Sequence, residues 1–451
     1  MSGLIQGLEI ARRALLAHQA ALNVTGHNIA NVATDGYTRR SPVLVPMPPE
    51  QTPHGLLGTG VRLEGVRRNR SFFLDTQLRK EASLAGRWES RSQVLQQIES
   101  LVAEPSDGGI GALLDGFFNS WLELSNQPED AGTRAVVVQA GQSLAQGLRD
   151  QEARFEQVYS STDVELEQRV QEINRRLEEI GRLNVGIQQS EMSGTLDADL
   201  RDRRDVILDE LALEIGAEHI LRGNGSVVVR IGSRTVVDGT EVVRLESRPY
   251  TVDLQRRVRI VFSSDGNVAE NLGGRLGGLM EAREEVLPEL RAKYDTFAAD
   301  LIRSVNAIHR AGPSGTTFLA GDDAGSIEVD PAVVADVSLV NAGSSGDPGD
   351  NDIALALAGL RDARILQRGT ATLSDSYRQI VGQIGSIAAQ AGTVSGAQQS
   401  AYQAIQTQRQ AVQGVNLDEE LTQLVETQKA YEAAARIFTA SAEMIDVLLA
   451  M

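Results

Sequence analysis

The chain contains no cysteine at all. Disulfide staples, thiolate metal sites and cysteine nucleophiles are therefore excluded. Aromatic residues make up 4% of the sequence against 41% hydrophobic residues overall. Any core must rest on Ala, Val, Leu and Ile, a mixture suited to helix packing. Lysine is scarce too, with Lys80, Lys293 and Lys429 the only ones among 43 basic residues. The net charge of −18 argues against nucleic acid as the main partner, because phosphate binding needs clustered positive charge. Arginines alternate with carboxylates, as in Arg201-Asp202-Arg203-Arg204-Asp205, and read as solvated helix faces. No stretch approaches the ~18 apolar residues of a membrane span, and no basic segment leads into an unbroken apolar run as a secretory signal would. A cytoplasmic location fits this pattern, and so does export without a cleaved signal.

Motifs that carry chemistry are missing as well. His18, His27, His54, His219 and His309 have no metal-ligand spacing. His18 reads as a packed residue on a helix face. Gly223-Asn224-Gly225 reads as a hairpin turn rather than a phosphate loop. Asp347, Asp350 and Asp352 lack the glycine and the distant glutamate of a calcium loop. No serine has an identifiable base beside it. The expectation is a non-enzyme with no cofactor and no metal.

What the sequence does contain is periodicity. Leu4, Leu8, Ala11, Leu15, His18, Leu22, Thr25 and Ile29 step four and three apart, a heptad seam predicting a helix over about 3–30. Pro42, Pro46, Pro48, Pro49 and Pro53, followed by Gly55, Gly58 and Gly60, force an extended excursion over 41–66. Helical spacing resumes over 71–102, 110–125 and 131–150. Residues 160–192 show a second seam, Leu166, Val170, Ile173, Leu177, Ile180, Asn184 and Ile187, on which Asn184 would fix a coiled-coil register. A helix over 199–216 leads into short alternating strands with turns at Asn224-Gly225 and Asp238-Gly239. Residues 312–350 are rich in Gly, Ser and Asp, with one strand near 327–329, and read as an irregular insertion or long loop. The strongest pattern is the last: Leu417, Leu421, Leu424, Gln428, Tyr431, Ala435, Phe438, Ala442, Ile445 and Leu449. An apolar stripe demands a partner without naming it. The two terminal stripes could pair inside one monomer, or both could be wanted by neighbouring molecules in a polymer.

The stretch Leu22-Asn23-Val24-Thr25-Gly26-His27-Asn28-Ile29-Ala30-Asn31, continued by Gly36-Tyr37-Thr38-Arg39, resembles the N-terminal signature of bacterial flagellar rod, hook and hook-associated proteins. The segment 415–451 resembles the matching terminal helix of that family. Within it, the Gly-Tyr-Thr-Arg ending, "KAYEAAARI", "RDRRDVILDELA", "LIRSVNAIHRAG" and "GDNDIALALAGL" are most similar to the members that join hook to filament.

The resemblance implies a mainly α, α+β protein. Its terminal helices would form an inner coiled coil, 1–40 with 414–451, next to a helical bundle, 41–215 with 280–413. A small β-rich domain, 216–279, and a reduced outer domain at 312–350 complete the expected division. The implied function is a self-assembling structural ring, exported as a monomer through the flagellar type III route with ends that fold on assembly. Implied partners are identical subunits, the hook protein, a second junction protein leading to the flagellin filament, and an export chaperone, with no nucleic acid and no membrane. The implied location is secreted, in the bacterial flagellum. Leu8, Leu15, Leu22, Asn28, Asn31, Gly36, Tyr37, Leu417, Leu421, Leu424, Tyr431, Phe438, Ile445 and Leu449 would make the inter-subunit contacts. Two rivals stand beside this reading: a hook or rod protein of the same axis, and a cytoplasmic coiled-coil adaptor.

Overall fold

A computed structural model describes residues 2–52, 55–102, 108–193, 196–252 and 255–450. Pro53 and His54 lie outside the described residues. In chain order, α1 (Ser2–Ala30) is followed by β1 (Arg40–Pro46), β2 (Glu50–Thr52), β3 (Gly55–Leu57) and β4 (Val61–Arg68). Four helices come next: α2 (Phe72–Leu101), α3 (Ile110–Asn126), α4 (Ala131–Met192) and α5 (Ala198–Ile215). Six strands follow: β5 (Glu218–Leu221), β6 (Val227–Ile231), β7 (Arg234–Asp238), β8 (Glu241–Val242), β9 (Leu245–Val252) and β10 (Gln255–Phe262). Then come α6 (Gly274–Glu281), a π turn (Ala282–Val286), α7 (Leu287–His309), β11 (Leu319–Ala320), β12 (Glu328–Val329) and α8 (Pro331–Ala335). A short 3₁₀ turn precedes α9 (Asp352–Gly359), α10 (Leu373–Gln413) and α11 (Leu417–Ala450).

These elements form two compact units. The first comprises residues 1–83, 173–244 and 399–451, and the second 84–172 and 245–398. Strands expected as one β-rich domain over 216–279 are divided between them: β5–β8 belong to the first unit, β9 and β10 to the second.

In the first unit the proline-rich excursion is a two-stranded ribbon, β1 pairing antiparallel with β4 from Arg40↔Arg68 to Pro46↔Val61. The ribbon lies along α1, where Arg13 Nη1 donates to Thr59 O at 3.0 Å. β5–β8 form a four-stranded meander whose turns use Gly225 and Gly239 at φ 76° and 62°, a backbone region that glycine enters without steric cost. Val227, Val229, Ile231, Val236 and Val237 of this sheet are buried. Asn184 of α4 is completely buried, but its partner is a strand rather than a helix. Its Nδ2 donates to Val227 O and its Oδ1 accepts from Val227 N, both at 2.9 Å. The coiled-coil register expected of it is therefore replaced by a sheet anchor. A buried amide that satisfies both backbone groups of one residue fixes that strand's position.

The second unit is built around an aromatic cluster. Phe117 and Trp121 of α3, His309 of α7 and Phe318 stack with centroids 5.1–6.2 Å apart. Phe318, Ile327 and Val333 are fully buried, so this part of the 312–350 segment packs into the core, while residues 344–349 are exposed. His309 accepts from Asn341 N through Nε2 at 3.0 Å, and its Nδ1 lies 2.9 Å from Thr316 O. The break expected between 150 and 160 is absent, because α4 runs uninterrupted from Ala131 to Met192.

Candidate assembly site

The two chain ends meet in the first unit. Asn28 of α1 bonds Glu420 of α11, and a Cβ placed on Gly7 would lie 3.8 Å from Ser441 Oγ. The helices are thus antiparallel, in a register that sets Ala14 opposite Ala434 and Ala21 opposite Thr427. On α11 the most buried positions are Glu420, Thr427, Ala434 and Ser441, each seven residues from the next. On α1, Ala11, Ala17, Ala21, Thr25 and Asn28 are 1–4% exposed. Small residues at the contact let the two axes approach closely.

On α11 the seam is therefore displaced by one position from the leucine stripe read in the sequence, whereas on α1 it keeps Ala11 and Thr25 of that stripe and adds Ala17, Ala21 and Asn28. Leu8, Leu15, Leu22, Leu424, Tyr431, Phe438 and Ile445 are half-buried at its margins. Leu417, Leu421 and Leu449 are 44%, 50% and 73% exposed. They have company on the outer faces, including Ile5, Leu16, Ile437 and Val447. The two terminal helices pair with each other within one chain, and a second apolar surface is left over.

At the end of this seam the signature residues close into one knot. Asn28 is 1% exposed and uses its whole bonding capacity. Nδ2 donates to Arg40 O and Glu420 Oε2, each at 2.9 Å, while Oδ1 accepts from Arg40 N at 3.0 Å and Tyr37 OH at 2.8 Å. Asn28 is thus engaged within the chain and has no capacity left for another subunit. Asn31 ends the helix, its Nδ2 donating to His27 O at 2.9 Å and its Oδ1 accepting from Thr34 Oγ1 at 3.2 Å. Gly36 has φ 75°, and a Cβ there would overlap Val206. Tyr37 lies under the Arg40 guanidinium, 5.0 Å from its ring centroid, and burial pushes its hydroxyl up to about 12. Arg39 clamps the start of α11, bonding Glu420 Oε1 through Nε and Glu419 Oε2 through Nη1, both at 2.6 Å.

Behind the knot lies a network the sequence disguised. Asp197 caps α5 by accepting from Asp199 N and Leu200 N, and Gly216 ends it at φ 69°. Between these caps, Asp202 and Arg204 are buried rather than solvated. Arg68 Nη2 is ion-paired with Asp202 Oδ1 and donates to Asp205 Oδ2, each at 2.6 Å. Arg70 holds Asp75 at 2.8 Å and also Asp205. Arg79 and Arg409 share Asp209. Arg40 bonds Asp199 and approaches Asp202 to 3.4 Å, which ties the knot to α5. Burial alone would raise the Asp205 carboxyl, but Arg70, Arg68 and Arg204 together hold it below the ordinary aspartate value.

His219, on β5, accepts from Arg79 Nη1 at 2.9 Å. Burial, then the Arg79 charge, lowers its pKa from 6.5 to about 4. Between those values the unfolded chain binds a proton that the folded chain refuses, so stability falls as pH drops from 6.5 towards 4. The whole shift corresponds to about 3 kcal/mol. Urea titrations at pH 6.5 and pH 5, where few carboxylates titrate, should show a wild-type loss that His219→Gln lacks.

Among the described residues no helix is long and apolar enough to cross a membrane, and no cluster of His, Asp and Glu could hold a metal. Arg39, Arg40, Asp205 and Glu420 escaped sequence reasoning. The Thr-Arg-Arg run after Tyr37 was the available signal, but nothing local connects residue 39 to residue 420.

The chain ends and the middle of the chain match different family models. Residues 8–38 match the family model for flagella basal body rod protein, and residues 406–451 the C-terminal model of flagellar basal body rod FlgEFG protein. The paired helices are therefore those of the rod and hook class of flagellar proteins. Residues 95–317 match the flagellar hook-associated protein FlgK helical domain. The chain is 31% identical to flagellar hook-associated protein 1 of Bacillus subtilis, over 100% of this chain and 98% of that protein. It is 24% identical to the Salmonella typhimurium protein of that name, over 97% and 98% respectively. The chain belongs to the flagellar hook-associated protein 1 family and has a structural role in the hook–filament axis of the bacterial flagellum. The flagellar hook junction protein FlgK from Burkholderia pseudomallei shares its fold, at TM-score 0.64 and 15% identity, over 74% of this chain and 100% of that one.

Proposed function

We infer that the protein is a non-catalytic joint, a ring of identical subunits between hook and filament, exported as a monomer and ordered at its ends on assembly. The observation that carries this is the leftover apolar surface on the paired termini. Leu417, Leu421, Ile437, Val447 and Leu449 all stand exposed on α11 after α1 has taken its seam. Apolar area of that kind gains roughly 25 cal/mol per Å² when a neighbour covers it. In the axis the neighbours are identical subunits, with the hook protein on one side and a second junction protein leading to flagellin on the other. Ordering about 65 terminal residues costs on the order of 1–2 kcal/mol each in backbone entropy. Ends left unfolded until a growing tip offers partners avoid premature polymerisation and suit passage through a narrow export channel, with a chaperone holding them before export.

The test is electron microscopy of cells deleted for the gene, with flagellin measured in the medium. Complete hooks without filaments, together with lost flagellin, are expected. Missing or truncated hooks would move the protein to the hook or rod. Leu424, half-buried at the seam margin, gives a finer check. Leu424→Asp is expected to be exported normally and to fail to enter the axis, read by immunoblotting of medium against purified hooks.

A further inference from the structure

Beside the buried network, unit one holds a cleft of about 490 Å³ with two kinds of wall. One is apolar, made by Val43, Val66, Phe72, Leu221 and Val227. The other is cationic, with Arg67, Arg68, Arg70, Arg79, Arg201 and Arg204 facing three carboxylates, Glu64, Asp75 and Asp205. Arg204 is 3% exposed and bonds only a carbonyl, Gly225 O, at 2.6 Å through Nη1. Its Nε lies 3.9 Å from Asp205 Oδ1 and donates to no acceptor. The Nε atoms of Arg68 and Arg201 are likewise buried and unbonded. Unmade bonds on buried guanidinium groups are costly, and three of them border one cleft.

We propose that this cleft is a binding site for an aliphatic carboxylate, its charged head met by Arg201 and Arg204 and its carbon body lying on Phe72 and the valines. The volume suits a ligand of that size. An arginine fork matches a carboxylate in a plane, and the apolar wall distinguishes an organic anion from a bare inorganic one. Burial, more than the charges of Arg201, Arg68 and Arg70, brings the Arg204 pKa down to about 10, while Asp205 opposes the shift. The same chemistry can come as a free acid or as a glutamate side chain between leucines in another protein. Neither source is part of the structural role inferred above.

The experiment is isothermal titration of the full chain with N-acetylleucine and with the blocked peptide N-acetyl-Leu-Glu-Leu-amide. N-acetylleucinamide, N-acetyl-Leu-Gln-Leu-amide and inorganic phosphate serve as controls. Saturable binding of either carboxylate, at least tenfold tighter than its amide and than phosphate, is expected, and the tighter of the two identifies the source. Arg201→Gln, at the half-buried rim, should weaken that binding roughly tenfold through loss of one charge-assisted bond. Arg204→Gln should do so further, if circular dichroism shows it folded. No saturable binding, equal binding of the amides, equal binding of phosphate, or an Arg201→Gln protein that binds as wild type would each overturn the assignment.

Discussion

Asp205→Ala is expected to destabilise the first unit by roughly 3–5 kcal/mol, the usual consequence of leaving a buried ion pair half-removed. The carboxylate sits between Arg68 and Arg70, with side-chain exposures of 14%, 13% and 16%. Each arginine keeps one other carboxylate, Asp202 for Arg68 and Asp75 for Arg70. Neither gains a replacement for the charge lost, and Arg204 loses its nearest anion as well. Urea denaturation should show a lower midpoint with an unchanged slope. Asp205→Asn keeps the shape and removes only the charge, so most of the loss should persist there. Because the folded-state pKa of Asp205 is depressed, the contribution is complete at neutral pH and is lost as pH falls through that folded value. If Asp205→Ala lay within about 0.5 kcal/mol of wild type, the range of ordinary surface changes, the network would be solvated, and the apolar core alone would hold the unit.

That network marks the limit of what the sequence revealed. Helices such as α2, α3 and α11 were legible because apolar residues recur at helical spacing and turn-forming residues bound them. Arg201 to Asp205 carried the same alternating charge as any solvated face, and only the fold brings β4 and the start of α2 over α5. The contact between the two chain ends lies on the helices read in the sequence, but on α11 it is one position aside from the leucines. The residues at the contact, Gly7, Ala21, Ala434 and Ser441, carry little hydrophobic weight, so the leucines beside them dominate the pattern. Asn184 looked like a coiled-coil register device because a heptad position does not say whether a helix or a strand faces it. Residues 312–350 looked loose through their Gly and Asp content, yet Phe318, Ile327 and Val333 draw part of them into the core. The flagellar signature itself was readable from residue 22 onward. Its physical meaning was not, because Asn28 and Glu420 are 392 residues apart in sequence.

Asn28→Ala should therefore have the second large effect, and it falls on the joining of the two ends. The substitution withdraws two donors and two acceptors at a position 1% exposed. Glu420 keeps Arg39, and the Tyr37 hydroxyl still has His27 Nδ1 at 2.9 Å. Arg40 N and O, however, both lose the amide that satisfied them, and neither can move away without opening the start of β1. Unsatisfied buried groups cost about 1–3 kcal/mol each, so the pairing of α1 with α11 should weaken by roughly 3–5 kcal/mol. Tyr37→Phe, which removes one donor and leaves the amide in place, should cost about 1 kcal/mol. Asn28→Asp should be no milder than alanine, because it sets a carboxylate against Glu420 where the amide donated. In cells, the expected result for Asn28→Ala is a secreted protein missing from purified hooks, with flagellin shed into the medium. Tyr37→Phe cells should remain motile. The order of the three variants carries the argument: if Asn28→Ala cells swim on full-length filaments, the knot is dispensable and the apolar seam alone joins the chain ends.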